Sequence, residues 1–505
     1  MLTQRKSTKQ KLMLNTVTSL LFEITTIVCG LILPRLIIRS YGSGVNGLVN
    51  SIAQFLHIIS FLDLGVGAVV QSALYKPLAE KDHTGVSNIL ASAQRFFRRI
   101  AMLLLAYILV LIVVYPFIRG DFGWLFSALL VAAMSISYFA QYYFGVVDRL
   151  LLIANQEGYV QYIAQIITLV LNTVACVIII RLGASIQLVK LVTSIIFLAR
   201  PLFLRAYVNR HYSIDRRMEV VGEPIKQKWN GVAQHVSYVV LTSTDNIVLT
   251  LLSTLENVSV YTVYHMVIYG IKQLFISMTN GIKAIMGELW AKKETEKLSS
   301  VFGMTEFAVH AFAVFVFTCT WKLILPFVSI YTSGVTDAEY IQPLFATILI
   351  LAHAIHCLRI PYNMLILATG AYKQAQNMHI ITAAINVIIS VLVVSYYGLV
   401  GVAVGTLAAM VYQTSWMIIF DSKNNIHWPI RNVLKQLLFD ALAVAGIVGA
   451  TWFIRIDAAN YLEWVVYAVL TAAISGLVVL ALSLIFYRKQ LFGALKLLKR
   501  RKKHA

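Results

Sequence analysis

Long apolar runs recur along the whole chain, and they limit what it can fold into more than any other feature. The hydrocarbon core of a membrane is about 30 Å thick, which takes roughly 20 helical residues to cross. The runs lack the alternation of polar and apolar residues that is typical of a barrel strand. Because a helix satisfies its own backbone hydrogen bonds in lipid, we expect about fourteen transmembrane helices. They cover approximately residues 14–38, 46–73, 97–118, 123–147, 159–180, 184–206, 230–253, 257–286, 302–330, 339–368, 376–396, 398–420, 432–454 and 461–487.

The composition and the connections between these spans favour a carrier rather than an enzyme. Of the 505 residues, 59% are hydrophobic and 13% are charged, which is too apolar for a water-soluble protein of this size. The longest connection, about residues 207–229, is too short to form a catalytic domain. All four cysteines lie inside spans and show no metal-ligand spacing, so we expect no disulfide framework, no metal and no other cofactor.

The formal net charge of +20 is explained by orientation in a membrane. With the amino terminus inside, most basic residues fall on the cytoplasmic side, as the positive-inside rule requires. We therefore predict a multi-pass protein of the inner (plasma) membrane with both termini in the cytoplasm. Its basic tail would touch anionic lipid headgroups, and no nucleic acid is expected as a partner. The cytoplasmic basic groups are residues 5–11, Arg95, Arg98, Arg99, the stretch from Arg200 to Lys228, Lys292, Lys293, Lys297 and the tail from Lys496 to Lys503.

The two halves of the chain resemble each other at an offset of about 214 residues. Asn172 matches Asn386, and Gly183 matches Gly398. Each copy holds six spans, an even number, so both copies have the same orientation in the membrane and form a parallel repeat. We predict an amino-terminal six-helix bundle with a cytoplasmic linker, a second six-helix bundle, and a last segment with two extra helices and the basic tail. Their bounds are residues 1–228, 229–430 and 431–505.

Polar residues inside the apolar spans are the candidates for a site. A charged side chain at the centre of a bilayer costs at least about 2.5 to 3.5 kcal/mol on insertion scales, so it needs a wet cavity or a partner. In spans two and eight the polar residues follow helical spacings of three and four and line one face. The candidate residues are Arg35 in span one, Asn50, Gln54 and His57 in span two, Asp245 in span seven, His265, Tyr269 and Lys272 in span eight, and His353, His356 and Arg359 in span ten.

We interpret these residues as the lining of a hydrated cavity whose cations, Arg35, Lys272 and Arg359, suit a phosphate-bearing substrate. Arginine holds phosphate oxygens in a bidentate fork, and lysine acts as a point charge. The alternative is an ion pair between helices, with Arg35 bound to Asp245 or to Glu23. Lys322 is a further candidate for the lining, and for Lys322 and Arg35 the alternative is a side chain that extends to the outer interface.

Two stretches resemble polysaccharide flippases of the Wzx type, which belong to the multidrug, oligosaccharidyl-lipid and polysaccharide (MOP) exporter superfamily. The first is residues 34–42, followed by Gly47 and residues 63–68. The second contains Ala368, Gly370, Lys373 and Asn386, and then residues 398–405. The resemblance covers about residues 10–420, and it implies a fold like that of the superfamily's multidrug exporters (MATE/MOP-like). Its glycine and asparagine motifs are specific for the superfamily rather than for one substrate.

The resemblance implies a function and partners. The expected substrate is an oligosaccharide repeat unit linked to undecaprenyl diphosphate, flipped from the cytoplasmic to the outer leaflet by alternating access, with polysaccharide-assembly proteins as further partners. Family members carry cations on helices one, two and eight, which correspond to Arg35, His57 and Lys272, although a histidine is not a permanent cation. The expected number of spans, fourteen, is similar to that of the lipid II flippases. In those proteins the last two helices help to form a groove for the lipid tail, and we expect the same role for spans thirteen and fourteen. The alternatives are an ion-coupled multidrug exporter, a flippase for lipid II or another cell-wall precursor, and a membrane glycosyltransferase or polymerase.

Overall fold

The structure is a computed structural model that describes residues 8–58, 61–216, 218–220, 222, 230–488 and 490–491. The basic tail from Lys496 to Lys503, and the basic residues before Thr8, lie outside the described residues. Within the described residues the regular structure is helical. The α-helices are α1 (Thr8–Tyr41), α2 (Ser43–His57), α3 (Phe61–Glu80), α4 (His83–Ile118), α5 (Trp124–Ala140), α6 (Val146–Ala154), α7 (Gly158–Arg181), α8 (Ile186–His211), α9 (Asn230–Leu252), α10 (Leu255–Ala291), α11 (Thr295–Tyr331), α12 (Pro343–Leu358), α13 (Ile360–Thr369), α14 (Tyr372–Tyr397), α15 (Leu399–Asn424), α16 (Ile430–Ala450) and α17 (Tyr461–Phe486).

Each predicted span has helix at its position, which confirms the all-helical polytopic fold. Eleven helices in the described residues are long and apolar enough to cross a membrane, counting Trp124–Ala154 and Pro343–Thr369 as one span each. The helices α9 and α10 are long enough but are not among the eleven, because polar residues interrupt their apolar sequence. Span two corresponds to α2 and α3, and residues 59–60 between them lie outside the described part.

The chain separates into two compact units, here called unit 1 (Met1–Ser243) and unit 2 (Thr244–Ala505). In unit 1, α1 packs along α7, and hydrogen bonds join them at both ends. The Asn15 amide donates to the carbonyl of Gln156 at 2.9 Å and accepts from the backbone N–H of Tyr159 at 2.6 Å. At the opposite end, the Tyr41 hydroxyl donates to the carbonyl of Ala184 at 2.6 Å. The domain boundaries predicted at residues 228 and 430 stay a prediction.

In unit 2, the last two helices pack against α11. Phe307 of α11 stacks on Tyr487 with ring centroids 4.7 Å apart, and both rings contact the fully buried Phe439 of α16. Val314 of α11 extends this contact along α16. Spans thirteen and fourteen therefore belong to the packed core of unit 2.

Helix ends follow local sequence signals. Asp82, Ser185, Thr254 and Asn460 precede α4, α8, α10 and α17, and each side chain accepts a hydrogen bond from the backbone N–H three residues later. Such N-caps satisfy donors that a helix leaves open at its start. Three turns of the first half recur in the second half at close to the predicted offset, each with a residue at positive φ. The pairs are Lys81 and Lys293, Gln156 and Gly370, and Gly183 and Gly398.

Two glycines permit the close packing of α14 and α15. A Cβ atom at Gly401 would lie 2.6 Å from the backbone nitrogen of Val394. A Cβ atom at Gly405 would lie 2.8 Å from the backbone nitrogen of Ser390. Because the neighbouring atoms are backbone, a larger residue forces the helices apart, and this spacing of four is the small-residue pattern of helix contacts in membranes.

We predict that Gly401→Ala lowers the stability of the protein by about 1–3 kcal/mol, the usual cost of overpacking. The measurement is the unfolding temperature of the purified protein in detergent. The matched control is Gly30→Ala, because nothing lies within 4 Å of the new methyl group in the middle of α1. An unfolding temperature for Gly401→Ala equal to that of the control would contradict the predicted contact.

Candidate functional site

The polar stripe predicted on span eight forms one face of α10. The rings of Tyr261 and His265 stack with centroids 5.4 Å apart, and His265 and Tyr269 follow at 6.0 Å. Lys272 continues the stripe, with its Nζ atom 6.0 Å from the centre of the Tyr269 ring. Lys272 lies near the middle of α10 and is only 6% exposed. The side chain of Lys272 is thus enclosed by protein.

The second part of the site lies where span ten is interrupted. α12 ends at Leu358, α13 begins at Ile360, and Arg359 occupies the junction. Pro361 in the first turn of α13 has no backbone N–H, which interrupts the helical hydrogen-bond pattern at this point. The Arg359 guanidinium is 8% exposed, and it contacts the His356 Nδ1 atom at 3.0 Å and the Met417 sulfur at 3.9 Å. Irregular backbone at membrane depth is tolerated where protein or water satisfies it.

The two parts come together around histidines. The ring of His353 lies 5.9 Å from that of His265 and 6.4 Å from that of His356. We call Lys272, Arg359, His265, His353 and His356 the cationic cluster. Neither ring nitrogen of His353 has a hydrogen-bond partner among the described residues. These residues lie up to 94 positions apart in the sequence (265 to 359), and α10, α12 and the junction after α12 bring them together.

The electrostatics of the cationic cluster are one-sided. Lys272 and Arg359 are close enough for their charges to repel each other, and both charges also act on His356. Lys272 forms no hydrogen bond and no ion pair with any residue that the structure describes. Two buried cations side by side are unfavourable unless an anion joins them. The arrangement is therefore suited to bind a negatively charged group.

Asp245 stands apart from the cationic cluster, at the other end of the stripe on α10. Its carboxylate accepts hydrogen bonds from the Tyr261 hydroxyl at 2.9 Å and from the Thr406 hydroxyl at 2.8 Å. The Asn386 amide donates to the same Thr406 oxygen at 3.0 Å. Within the described residues Asp245 forms no ion pair. It is an oxygen-rich polar contact between α9, α10, α14 and α15, and it does not neutralise Lys272.

The remaining predicted residues belong to unit 1. Arg35 is half-buried in α1, whereas Asn50 and Gln54 are half-buried on α2, and His57 is exposed at its last residue. The Asn50 amide donates to the carbonyl of Asn46 one turn earlier, at 2.8 Å. The part that these four residues play in a common site stays a prediction.

Two basic residues have contacts that the sequence did not suggest. Lys322 donates a hydrogen bond to the carbonyl of Thr451, directly after α16, so it closes the end of that helix. Arg200 lies within α8, which continues to His211, and it donates to the Thr168 hydroxyl. Its location on the cytoplasmic side stays a prediction.

A buried network of carboxylates joins α11, α13 and α16, and the sequence did not predict it. The His310 Nδ1 atom lies 2.6 Å from the Asp440 carboxylate, and the Gln436 amide donates to Asp440 at 3.1 Å. On the same face of α11, Glu306 accepts a hydrogen bond from Tyr362 of α13. All five side chains are buried. An ionisable pair four residues apart inside span nine was the signal that could have shown it.

We predict that Asp440→Leu destabilises the protein by about 3–5 kcal/mol, because it leaves His310 buried without its partner. The double variant His310→Leu with Asp440→Leu should recover a large part of that loss, since no orphaned group remains. The measurement is a double-mutant cycle of unfolding temperatures in detergent. Additive effects of the two replacements would contradict a direct interaction.

No protein-family model and no curated protein matches the chain. Solved structures do match it. The structure titled lipid II flippase MurJ, in an inward closed conformation, matches with a TM-score of 0.72 and 15% identity, over 95% of this chain and 100% of that chain. An inward-facing MATE multidrug resistance transporter of the MOP superfamily matches with a TM-score of 0.57 and 16% identity, over 79% of this chain and 94% of that chain.

The chain has a MATE/MOP-like fold. A MOP superfamily transporter from Pyrococcus furiosus Vc1, whose title reports reverse polarity of the binding pocket, also matches, with a TM-score of 0.53 and 15% identity over 82% of this chain and 94% of that chain. At these identities the likeness concerns the fold alone. The predicted MATE/MOP-like fold is confirmed, and the MurJ match extends over nearly the whole chain.

Proposed function

We propose that the protein is a flippase that moves an undecaprenyl-diphosphate-linked oligosaccharide from the cytoplasmic to the outer leaflet of the inner membrane. The observation that carries the proposal is a pair of buried cations, Lys272 and Arg359, which repel each other, and Lys272 forms no ion pair with any described residue. A diphosphate brings the negative charge that this pair needs. The named functions of the similar structures, lipid II flippase and multidrug transporter, support a transporter rather than an enzyme.

Each part of the substrate has a matching feature. Arg359 holds phosphate oxygens with its planar fork, and Lys272 adds a point charge. The imidazoles of His265 and His353 and the hydroxyl of Tyr269 offer hydrogen bonds to sugar hydroxyls. The prenyl chain stays in lipid. Part of it can contact the apolar surface of a cavity of about 350 Å³ that residues of α11, α12, α16 and α17 line. The diphosphate and the sugars therefore avoid the free-energy cost of entering hydrocarbon without hydrogen-bond or charge partners.

Transport by this cluster requires a conformational change. Lys272 and Arg359 are both less than 10% exposed, so a diphosphate reaches them only after the surrounding helices have moved. We infer alternating access, in which the cationic cluster opens first to the cytoplasmic side and then to the outer side. An anion that binds the open states more tightly than the closed state shifts the population between them.

We predict that Lys272→Met and Arg359→Gln each reduce transport roughly tenfold or more, since each removes a charge-assisted contact with the diphosphate. The measurement uses proteoliposomes that contain a fluorescent undecaprenyl-diphosphate oligosaccharide, and it follows the fraction that a quencher reaches in the outer leaflet. Lys272→Met should keep at least the wild-type unfolding temperature, because removing Lys272 relieves repulsion and leaves no partner without its bond.

The matched control for Lys272 is Lys283→Met, an exposed lysine on the same helix, which should transport like the wild type. For Arg359 the control is Arg431→Gln, an exposed arginine at the start of α16. Wild-type transport by both cluster variants would rule out the proposed site. A protein that flips the lipid equally well after both cations are removed does not use them to hold the diphosphate.

Lipid II is a second candidate substrate, favoured by the match to a lipid II flippase over 95% of this chain. It shares the prenyl diphosphate, so the cationic cluster fits both lipids. We predict that the protein distinguishes the two substrates by their sugars alone. Lys272→Met should therefore abolish transport of both. The measurement is competition between unlabelled lipid II and the labelled oligosaccharide lipid in the same proteoliposomes. A cationic drug should not compete, because the cluster repels it; competition by the drug would favour a multidrug exporter instead.

A further inference from the structure

A second cationic cavity lies inside unit 1, and none of the residues used in the proposed function lines it. We call it the unit 1 cavity. Its volume is about 320 Å³, and residues of α5, α6, α7 and α8 line it. A space of this size is far larger than one water molecule needs, so it suits a molecular group rather than a single ion.

The charged residues that line the unit 1 cavity are all basic. Arg149, Lys190 and Arg200 line it, and its lining includes no aspartate or glutamate. Arg200 is oriented from two sides, because it donates to the Thr168 hydroxyl and lies 3.9 Å from the centre of the Phe197 ring. Lys190 forms neither a hydrogen bond nor an ion pair with any residue in the described part of the chain. Its charge is therefore left for a ligand.

Amide groups supplement the cations. Gln141, Gln161 and Gln165 line the same space, and the side-chain carbonyl oxygen of Gln165 is buried without a hydrogen-bond partner among the described residues. A buried polar atom in this condition costs free energy unless a ligand or water completes it. The cavity thus presents both unsatisfied charge and unsatisfied hydrogen-bonding capacity.

The backbone around the cavity is specialised as well. Residues Gln141–Gly145 form one turn of π-helix between α5 and α6, a distortion that often occurs at functional sites. Gly145 allows this turn to approach α8, since a Cβ atom there would lie 2.7 Å from the Cβ of Pro201. The distorted turn therefore carries Gln141 and Gly145 directly into the wall of the cavity.

Apolar side chains complete the wall and point to the class of ligand. Met134, Phe197 and Leu204 line the cavity beside the three cations. On the outer faces of the same helices, Ile167 and Phe203 are exposed, as expected for surfaces in contact with acyl chains. A ligand with a phosphate at one end and a hydrocarbon chain at the other matches both parts of this surface.

We propose that the unit 1 cavity is a binding site for a phosphate group, carried by an anionic lipid, and that Lys190 and Arg200 hold the phosphate. The site is separate from the cationic cluster of unit 2 and does not depend on the proposed flippase activity. The protein then has two anion sites, the cationic cluster in unit 2 and this cavity in the membrane-spanning part of unit 1.

The test measures binding to the full-length protein in detergent, as the shift in unfolding temperature during titration with dioctanoyl phosphatidic acid. The matched lipid is dioctanoylglycerol, which has the same chains and no phosphate. We expect the phosphatidic acid to stabilise the wild type and dioctanoylglycerol to have no effect. Lys190→Met and Arg200→Gln should each weaken the apparent affinity roughly tenfold, as the loss of a charge-assisted contact predicts.

Two controls separate a loss of lipid binding from a general effect of the substitutions. Arg210→Gln removes an exposed arginine on the same helix and should bind like the wild type. Lys190→Met should keep the wild-type unfolding temperature without lipid, because none of the described residues depends on Lys190 for a bond. A parallel titration with inorganic phosphate identifies the source of the group: no shift supports the lipid, and a shift that Lys190→Met abolishes supports the same site with a soluble phosphate.

The proposal is overturned if Lys190→Met and Arg200→Gln both titrate like Arg210→Gln, or if dioctanoylglycerol stabilises the wild type as well as phosphatidic acid does. Repeating the titration in Lys272→Met separates this result from the proposed function. Binding that persists in Lys272→Met and is lost in Lys190→Met assigns the phosphate to the unit 1 cavity, whatever the transport assay shows for Lys272.

Discussion

Repulsion between buried like charges is the constraint around which unit 2 is organised. In a protein interior of low dielectric constant, two neighbouring cations interact far more strongly than in water. Elsewhere this chain neutralises such charges: Arg216 contacts Asp148 at 2.6 Å, and His310 lies 2.6 Å from Asp440. Lys272, whose charge is repelled by that of Arg359, has no comparable partner among the described residues. Lys272 is therefore the position at which we propose that a ligand supplies the missing negative charge.

Irregular helix geometry places the charges in both units. Arg359 occupies the interruption between α12 and α13, and the π-helical turn at Gln141–Gly145 borders the cavity of Arg149 and Arg200. The two distortions lie on corresponding spans of the two halves, the fourth and the tenth, at close to the offset of the repeated turns. In a regular helix the side chains of one face follow a fixed spacing, whereas a distorted turn can direct an additional side chain inward. A distorted turn thus directs different residues inward in each half of the chain.

The sequence predicts the spans because apolar length is a direct response to membrane thickness, and it finds Lys272 because a charge within such a run is costly. It fails where the decisive information is not local. Asp245 takes its partners from Tyr261 and Thr406, which are 16 and 161 residues away, and no spacing rule connects the last of these. The π-helical turn shifts backbone hydrogen bonds without a characteristic composition, so the sequence of Gln141–Gly145 does not predict it. The contact between Arg200 and the Thr168 hydroxyl joins two helices and likewise has no signal in the local sequence.

The anchoring of α16 on α11 bears on how a fold of this kind can gain or lose helices. Asp440 and Gln436 of α16 supply the polar surroundings of His310, and Phe439 completes the aromatic contact with Phe307. A shortened descendant that ended before α16 would expose an imidazole, together with aromatic surface, to acyl chains. The terminal helices can therefore be discarded in evolution only together with the ionisable residues of α11, so that chain length and the chemistry of one internal helix must change as a set.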